Sequence, residues 1–461
     1  MMADSTRTIF MLGLQLLALL FGVDGFIASK KQKVILVLVD GLRWDKYGLE
    51  LSSLQRFEDR GVRADWLNGV FVTYTVPNLY SIATGLYPES HGVIHNIVFN
   101  STTKTRTVHF EDVVNITEWF DTGAEPVWVT AKEAGKKVGG IMYPGTGVPI
   151  KGVLSDRIVH LSHWSLTNYP MTDRALDAVS WIADDEFDLV LLYMNLPDYT
   201  LHESKIGTER SNHDIMRANT ALNTLLDDVD RRGLWDTLNV IVVSDHGHVN
   251  IDKDKYVSLT DYIDEDDIEF SVMYGSALFQ LMPRPGRLNK VYRQLVKANP
   301  VMHVYKKEDF PERFHYGNHP RNLPIIGFLD PGWHVHMTFN PLTDTVLNGS
   351  DHGFDNSAME MKASFYAKGP AFKSNFRARP LESVDIYQMM CDILKLEAVP
   401  NNGSRPRYTK MMTGPSDDLQ DIHTTYNIVI TMSLLFTFVS LLMHGWPTLG
   451  SSYYVMSSID A

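Results

Sequence analysis

Carboxylates and imidazoles recur at short spacing in four places along the chain: Asp40 in Asp40-Gly41, Asp198 and His202 four residues apart, the adjacent pair Asp245-His246, and His352 in Asp351-His352-Gly353. Hard carboxylates mixed with imidazoles suit zinc, and these six side chains plus one hydroxyl would serve two ions. A single Asp after a strand is more often a helix cap. An adjacent Asp-His at a strand end is sharper, because both side chains must enter one crevice. Asp198 and His202 share a face if their segment is helical, although a surface pair also takes that spacing. For a nucleophile, the segment 73–92 offers Thr73, Thr75, Ser81 and Thr84, which residue type alone does not separate. His91, His95 and His248 lie beside these motifs and read as hydrogen-bonded histidines rather than ligands.

The elements that must position these residues alternate. Val34–Val39 is a β-branched apolar run that ends at Asp40, and similar runs occupy 137–142, 187–194 and 238–243. Such runs read as parallel strands buried on both faces. Between them, 173–183 and 213–232 carry helical spacing, the latter through Met216, Leu222, Leu225, Leu226 and Val229. Strand alternating with helix predicts an α/β fold with a mostly parallel sheet flanked by helices, and its functional residues belong at the carboxyl ends of the strands. From 256 to 313 the pattern becomes strand, helix, strand, with 270–281 and 302–305 around 288–298, which predicts a small inserted cap.

The chain has 461 residues, 42 Lys+Arg against 55 Asp+Glu and a net charge of −13. An acidic chain whose only basic cluster is Lys30-Lys31-Gln32-Lys33 is not a binder of nucleic-acid polymers. Small phosphorylated substrates remain open to it, since a metal ion supplies local positive charge. Residues 1–28 read as a signal peptide, with Arg7 before an apolar run from Ile9 to Val23. Residues 401–425 read as a polar stalk, 426–444 as a transmembrane helix of about 18 apolar residues, near the lower limit for a span, and 445–461 as a short cytoplasmic tail. This predicts a single-pass type I protein of the plasma membrane, anchored by its C-terminal helix, with a catalytic domain over 29–400 outside the cytosol. Sequons at Asn100, Asn115, Asn348 and Asn402 predict N-glycans. Cys391 is the only cysteine, so no intrachain disulfide forms.

Taken together, Asp40-Gly41, Thr75-Val-Pro-Asn78, Thr84-Gly-Leu-Tyr-Pro-Glu-Ser-His-Gly92, Ser244-Asp-His-Gly247 and Asp351-His-Gly-Phe-Asp-Asn356 resemble the ectonucleotide pyrophosphatase/phosphodiesterase family of the alkaline phosphatase superfamily, closest to its short membrane-anchored members. The resemblance covers roughly 34–403. It implies an alkaline phosphatase-like fold and two Zn2+ ions, one held by Asp198, His202 and His352, the other by Asp40, Asp245, His246 and the hydroxyl of Thr75. It also implies Thr75 as the nucleophile, Asn96 against the phosphoryl oxygen, and Tyr143 as an aromatic substrate surface where relatives usually have Trp. The implied reaction is hydrolysis of nucleotide phosphodiester or pyrophosphate bonds, as in dinucleoside polyphosphates or NAD, to 5'-monophosphates through a phosphothreonine. Val76 stands where the family usually has Phe, which weakens the expected stacking of a base. Lysophospholipid or choline phosphodiesters are the alternative substrates, and a non-catalytic surface protein of the same fold is the alternative class. A sulfatase would need a Cys/Ser-x-Pro-x-Arg run, whereas Cys391 is followed by Asp-Ile-Leu.

Overall fold

In this computed structural model the described residues are 31–107, 110–338 and 349–413. The first strand, Lys33–Val39, lies between two parallel neighbours, with Val34 opposite Leu189 on one side and Leu38 opposite Val243 on the other. Because side chains alternate along a strand, Val34, Leu36 and Leu38 enter one core while Ile35, Val37 and Val39 enter another. This is why the run is apolar at nearly every position. Helices Thr75–Thr84, Val127–Glu133 and Asp385–Leu394 contribute to the first core; Ser52–Arg60, Met171–Ala183 and Glu209–Arg232 contribute to the second.

The full sheet has eight strands, in the order Phe376–Ala378, Val62–Ala64, Phe365–Lys368, Leu238–Val243, Lys33–Val39, Leu189–Met194, Val138–Ile141 and Arg157–Val159. Only Phe365–Lys368 runs antiparallel to its neighbours. The expected α/β architecture is therefore present, with the predicted strands at the expected places.

The cap differs from the sequence reading in two respects. Residues 270–281 are not one strand: Ile268–Tyr274 and Leu278–Pro283 form an antiparallel hairpin, whose turn contains Gly275 at φ +68°. The boundary at 313 is also too early, because the buried strand Ile325–Leu329 pairs with both Leu278–Pro283 and Met302–Lys306. A central strand cannot be removed from a four-stranded sheet without leaving two exposed edges.

Residues 401–412 do not begin a stalk. Tyr408 and Met411 are fully buried, Arg407 Nη2 lies 2.6 Å from Asp385 Oδ1, and Lys373 N donates to Met411 O. The remainder of the expected stalk, the signal segment 1–28, the span 426–444 and the tail 445–461 lie outside the described residues. The single-pass plasma-membrane localisation is corrected: no helix among the described residues is long and apolar enough to cross a membrane. The 426–444 stretch that suggested it is itself near the lower length limit for a span.

Candidate active site

The three central strands deliver the acidic residues to one edge. Asp40 directly follows Val39, Asp245 lies two residues beyond Val243, and Asp198 starts a short helical turn, Asp198–Leu201, four residues beyond Met194. Backbone bonds tie the ends together: Asp40 N donates to Met194 O at 2.9 Å and Asp198 N to Asp40 O at 3.2 Å. The helical turn gives the i, i+4 pair its shared face, with His202 Nε2 3.3 Å from Asp198 Oδ1. His352 arrives from the other side, on a loop anchored by the antiparallel ladder of Val249–Asn250 with Ser350–Asp351.

Two groups of donors result. In the first, Asp198 Oδ1, His202 Nε2 and His352 Nε2 are separated by 3.2 to 3.4 Å. In the second, His246 Nε2 is 3.2 Å from Asp245 Oδ2, 3.5 Å from Asp40 Oδ1 and 3.3 Å from Thr75 Oγ1. Donors arranged tetrahedrally about 2.0–2.1 Å from one ion are about 3.3 Å apart, so both groups have the spacing of a metal's ligands. The rings of His246 and His352 stack at 3.6 Å, so the two groups adjoin.

The outward atoms carry the same sign. His352 Nδ1 meets Thr73 O at 2.7 Å, His246 Nδ1 meets Gly247 O at 3.2 Å, and His202 Nδ1 lies 3.5 Å from Asp351 Oδ1. An imidazole that holds its Nδ1 proton against an outer acceptor presents a lone pair at Nε2, the arrangement a metal requires. Asp40 Oδ2 accepts from the Tyr193 hydroxyl at 2.5 Å, and Asp245 Oδ1 accepts from Gly41 N and His246 N. Their other oxygens, Asp40 Oδ1 and Asp245 Oδ2, are buried and accept no hydrogen bond among the described residues. An orphaned buried carboxylate oxygen is costly unless a cation meets it, so the residues present fit a metal.

Burial, with the charges of Asp198 and Asp245 beside it, holds the Asp40 carboxyl well above the usual carboxylate range. Burial alone would lower His202, but the Asp198 carboxylate outweighs it and raises the imidazole to about 9. Burial and the neighbouring His246 hold His352 well below the usual imidazole range. His202 is the most open member, with a side chain 39% exposed.

Of the four hydroxyls that sequence left equal, three are engaged elsewhere. Thr73 Oγ1 donates to Phe354 O and accepts from Gly353 N; Thr84 Oγ1 donates to Tyr80 O; Ser81 Oγ meets His91 Nε2 at 2.8 Å. Thr75 Oγ1 faces the second donor group from the first residue of its helix. Asn96 Oδ1 accepts from Val76 N at 2.8 Å, which directs its NH2 group away from that amide. Tyr143 is 2% exposed and donates its hydroxyl to Leu79 O on the same helix, while Val76 is fully buried.

Sequence reasoning missed the supports. Asn78, fully buried, accepts from Val70 N at 2.7 Å and donates to Val72 O and Tyr74 O, so it clamps the loop that leads into Thr75. Tyr193 orients Asp40, and Asp351 links His202 to the cap by accepting from Ser276 N at 2.7 Å. Only Asn78 and Asp351 carried a signal, as members of the motifs; Tyr193 is hidden within an apolar strand.

A family model described as "Type I phosphodiesterase / nucleotide pyrophosphatase" matches residues 34–355. The chain belongs to this family. Ectonucleotide pyrophosphatase/phosphodiesterase family member 7 of Mus musculus is 34% identical to this phosphodiesterase-family chain over 390 residues, which cover 83% of the chain and 88% of that protein. Bis(5'-adenosyl)-triphosphatase of Homo sapiens is 34% identical over 385 residues, 82% of the chain and 81% of the relative. The solved structure of murine ectonucleotide pyrophosphatase/phosphodiesterase 5, an inactive threonine-to-alanine variant in complex with AMP, superposes with a TM-score of 0.77 at 30% identity, covering 83% of this chain and all of that one. The alkaline phosphatase-like fold and assignment as a hydrolase of the phosphodiesterase/pyrophosphatase family follow.

Proposed function

We propose that this chain is a two-zinc phosphodiesterase that hydrolyses nucleotide phosphodiester or pyrophosphate bonds to 5'-monophosphates, with Thr75 as the nucleophile. The observation that carries the reading is the position of Thr75 Oγ1, 3.3 Å from His246 Nε2, in a buried group whose two carboxylates each keep one oxygen unbonded. Asp198, His202 and His352 would hold one ion; Asp40, Asp245, His246 and Thr75 would hold the other. Bound zinc lowers the pKa of a coordinated hydroxyl and offsets negative charge on phosphoryl oxygens. Thr75 Oγ1 forms the new bond to phosphorus and the alcohol or phosphate on the opposite side departs. Water then cleaves the phosphothreonine and releases the monophosphate. The Asn96 NH2 donates to a phosphoryl oxygen, oriented by the bond between its Oδ1 and Val76 N. Tyr143 bears on substrate through the helix it braces at Leu79. Nucleotide substrates are supported by the AMP bound to the family member 5 structure and by the printed activity of the bis(5'-adenosyl)-triphosphatase.

The catalytic body would run from the first strand through residue 412, and N-glycans would sit at the exposed Asn100, Asn115 and Asn402; Asn348 lies outside the described residues. The test is turnover of a p-nitrophenyl nucleotide ester with added zinc, with Thr75→Ala beside the wild type. Zinc-dependent activity that disappears in Thr75→Ala supports the reading. A folded, zinc-loaded wild type that turns over choline phosphodiesters but no nucleotide ester refutes the substrate class, and one that turns over neither refutes the enzyme.

A further inference from the structure

His248 is the one histidine of the motif regions that turns out to lie inside the metal-binding group without a role in the proposed chemistry. It is fully buried, and its Nε2 lies 2.8 Å from Asp198 Oδ1. Its ring is 4.9 Å from that of His352 and 5.2 Å from that of His202. The backbone places it there by design of the ladder: Val249 pairs with Asp351, which sets His248 beside the loop that carries His352. Gly41 keeps the approach open. It adopts φ +71°, and a Cβ at this position would stand 3.0 Å from both His248 Nε2 and Asp198 Cβ.

Distance separates the two things His248 could do. Asp198, His202 and His352 are spaced at 3.2 to 3.4 Å, as donors around one ion are. The 2.8 Å between His248 Nε2 and Asp198 Oδ1 is shorter and falls in the range of an N–H donating to a carboxylate, about 2.7–2.9 Å. A fourth side-chain ligand would also fill the position that a catalytic ion keeps for water or substrate. Ser350 Oγ stands 3.3 Å from His248 Nδ1 and 2.9 Å from Leu201 O, so its hydroxyl proton has an acceptor on either side.

We propose that His248 is a positioning residue of the first metal site: its Nε2–H donates to Asp198 Oδ1 and fixes that carboxylate against the ion without ligating it. The inference rests on the two-zinc reading above. Donation to a ligand from outside the coordination sphere commonly changes metal affinity by about 10–100-fold.

The experiment measures zinc retained per full-length chain after equilibration with graded chelator, by elemental analysis, for the wild type, Asp198→Ala, His248→Met and His248→Gln. Glutamine carries an N–H at the reach of Nε2 but is a poor zinc ligand, whereas methionine has no donor. The expected result is that His248→Met gives up one of two ions at about 10–100-fold weaker chelation than the wild type, matching the site lost in Asp198→Ala, while His248→Gln stays within about threefold of the wild type. Melting in excess chelator should be alike for the wild type and His248→Met, which a merely structural role would not give. If His248→Met does not fold, His248→Asn, whose amide is too short to reach Asp198, takes its place. Equal loss in His248→Gln and His248→Met overturns the proposal in favour of direct ligation, and wild-type retention in His248→Met overturns any role at the metal. A wild type that binds no zinc would sink the two-zinc reading itself, a result distinct from either.

Discussion

Asn78 gives the sharpest test of how the site is held. Its Oδ1 is the acceptor for Val70 N at 2.7 Å, and its Nδ2 donates to Tyr74 O at 2.9 Å and Val72 O at 3.1 Å. In Asn78→Ala the two carbonyls keep backbone partners, since Tyr74 O still accepts from residue 78 N and Val72 O from Tyr74 N. Val70 N is left as a buried donor with no acceptor. One orphaned donor costs about 1–3 kcal/mol and each of the two lost donations about 0.5–1.5, for a total of about 2–6 kcal/mol. With an unfolding entropy of about 2.1 cal/mol/K per residue over roughly 380 residues, the melting temperature should fall by about 3–8 °C. The same loop supplies Thr73 O, which holds His352 Nδ1, and leads directly into Thr75. Turnover should therefore drop by about 10–100-fold in kcat, the size of effect that a 1 Å misplacement of a reacting group produces. Differential scanning calorimetry and hydrolysis of a p-nitrophenyl nucleotide ester at saturating zinc check both numbers. Asn78→Asp separates the parts, because it keeps the acceptor for Val70 N but loses both donations and buries a charge. An Asn78→Ala protein that melts within about 1 °C of the wild type and keeps its kcat would refute the idea that this side chain clamps the loop that leads into Thr75.

A chain that ends at Pro400 should melt about 4–7 °C below one that ends at Thr413, because it loses the fully buried Tyr408 and Met411 side chains at about 1.5–3 kcal/mol each; equal melting temperatures would show that 401–412 is dispensable. Burial works to raise the Asp392 carboxyl, but Arg405, Tyr408 and Gln388 outweigh it and hold it below the usual range. Its stabilising contribution is thus present above the unfolded carboxylate value near 3.9 and lost as pH falls through the lower folded value. Asp392→Asn should flatten the fall of stability with pH in that acid window, measured by urea melts between pH 2 and 5, and an unchanged slope counts against the linkage. Val76→Phe should raise the ratio of nucleotide-ester to choline-ester turnover, at about 1–3 kcal/mol of stability, because Val76 is fully buried and the larger ring must displace neighbours. An unchanged ratio would mean that position 76 does not help to choose the substrate.

The sequence by itself determined the parts whose causes are local. A run such as Val34–Val39, apolar at every position, has few uses other than a strand covered on both faces, and the acidic residues at the ends of such runs had to gather at one sheet edge. The i, i+4 spacing of Asp198 and His202 likewise carried its geometry within itself, once that segment proved helical. The motif combination extended this to the family. The rest depended on what comes close in space from distant parts of the chain. Residue type left Thr73, Thr75, Ser81 and Thr84 equal; contacts with Gly353 and Phe354, with His91 and with Tyr80 O engage the other three and leave Thr75 facing His246. The cap's extent was misread because Ile325–Leu329 is separated from its pairing partners by loops that no short window spans. Residues 401–412 look like a linker in composition, yet Tyr408 and Arg407 find their partners in Asp392 and Asp385. His248 is one more histidine in a motif until a ladder between Val249 and Asp351 sets it on Asp198. Periodicity records which face of an element is buried, and the sequence states it outright; which side chains meet across the finished fold is fixed by register and crossover, and that only the tertiary structure decided.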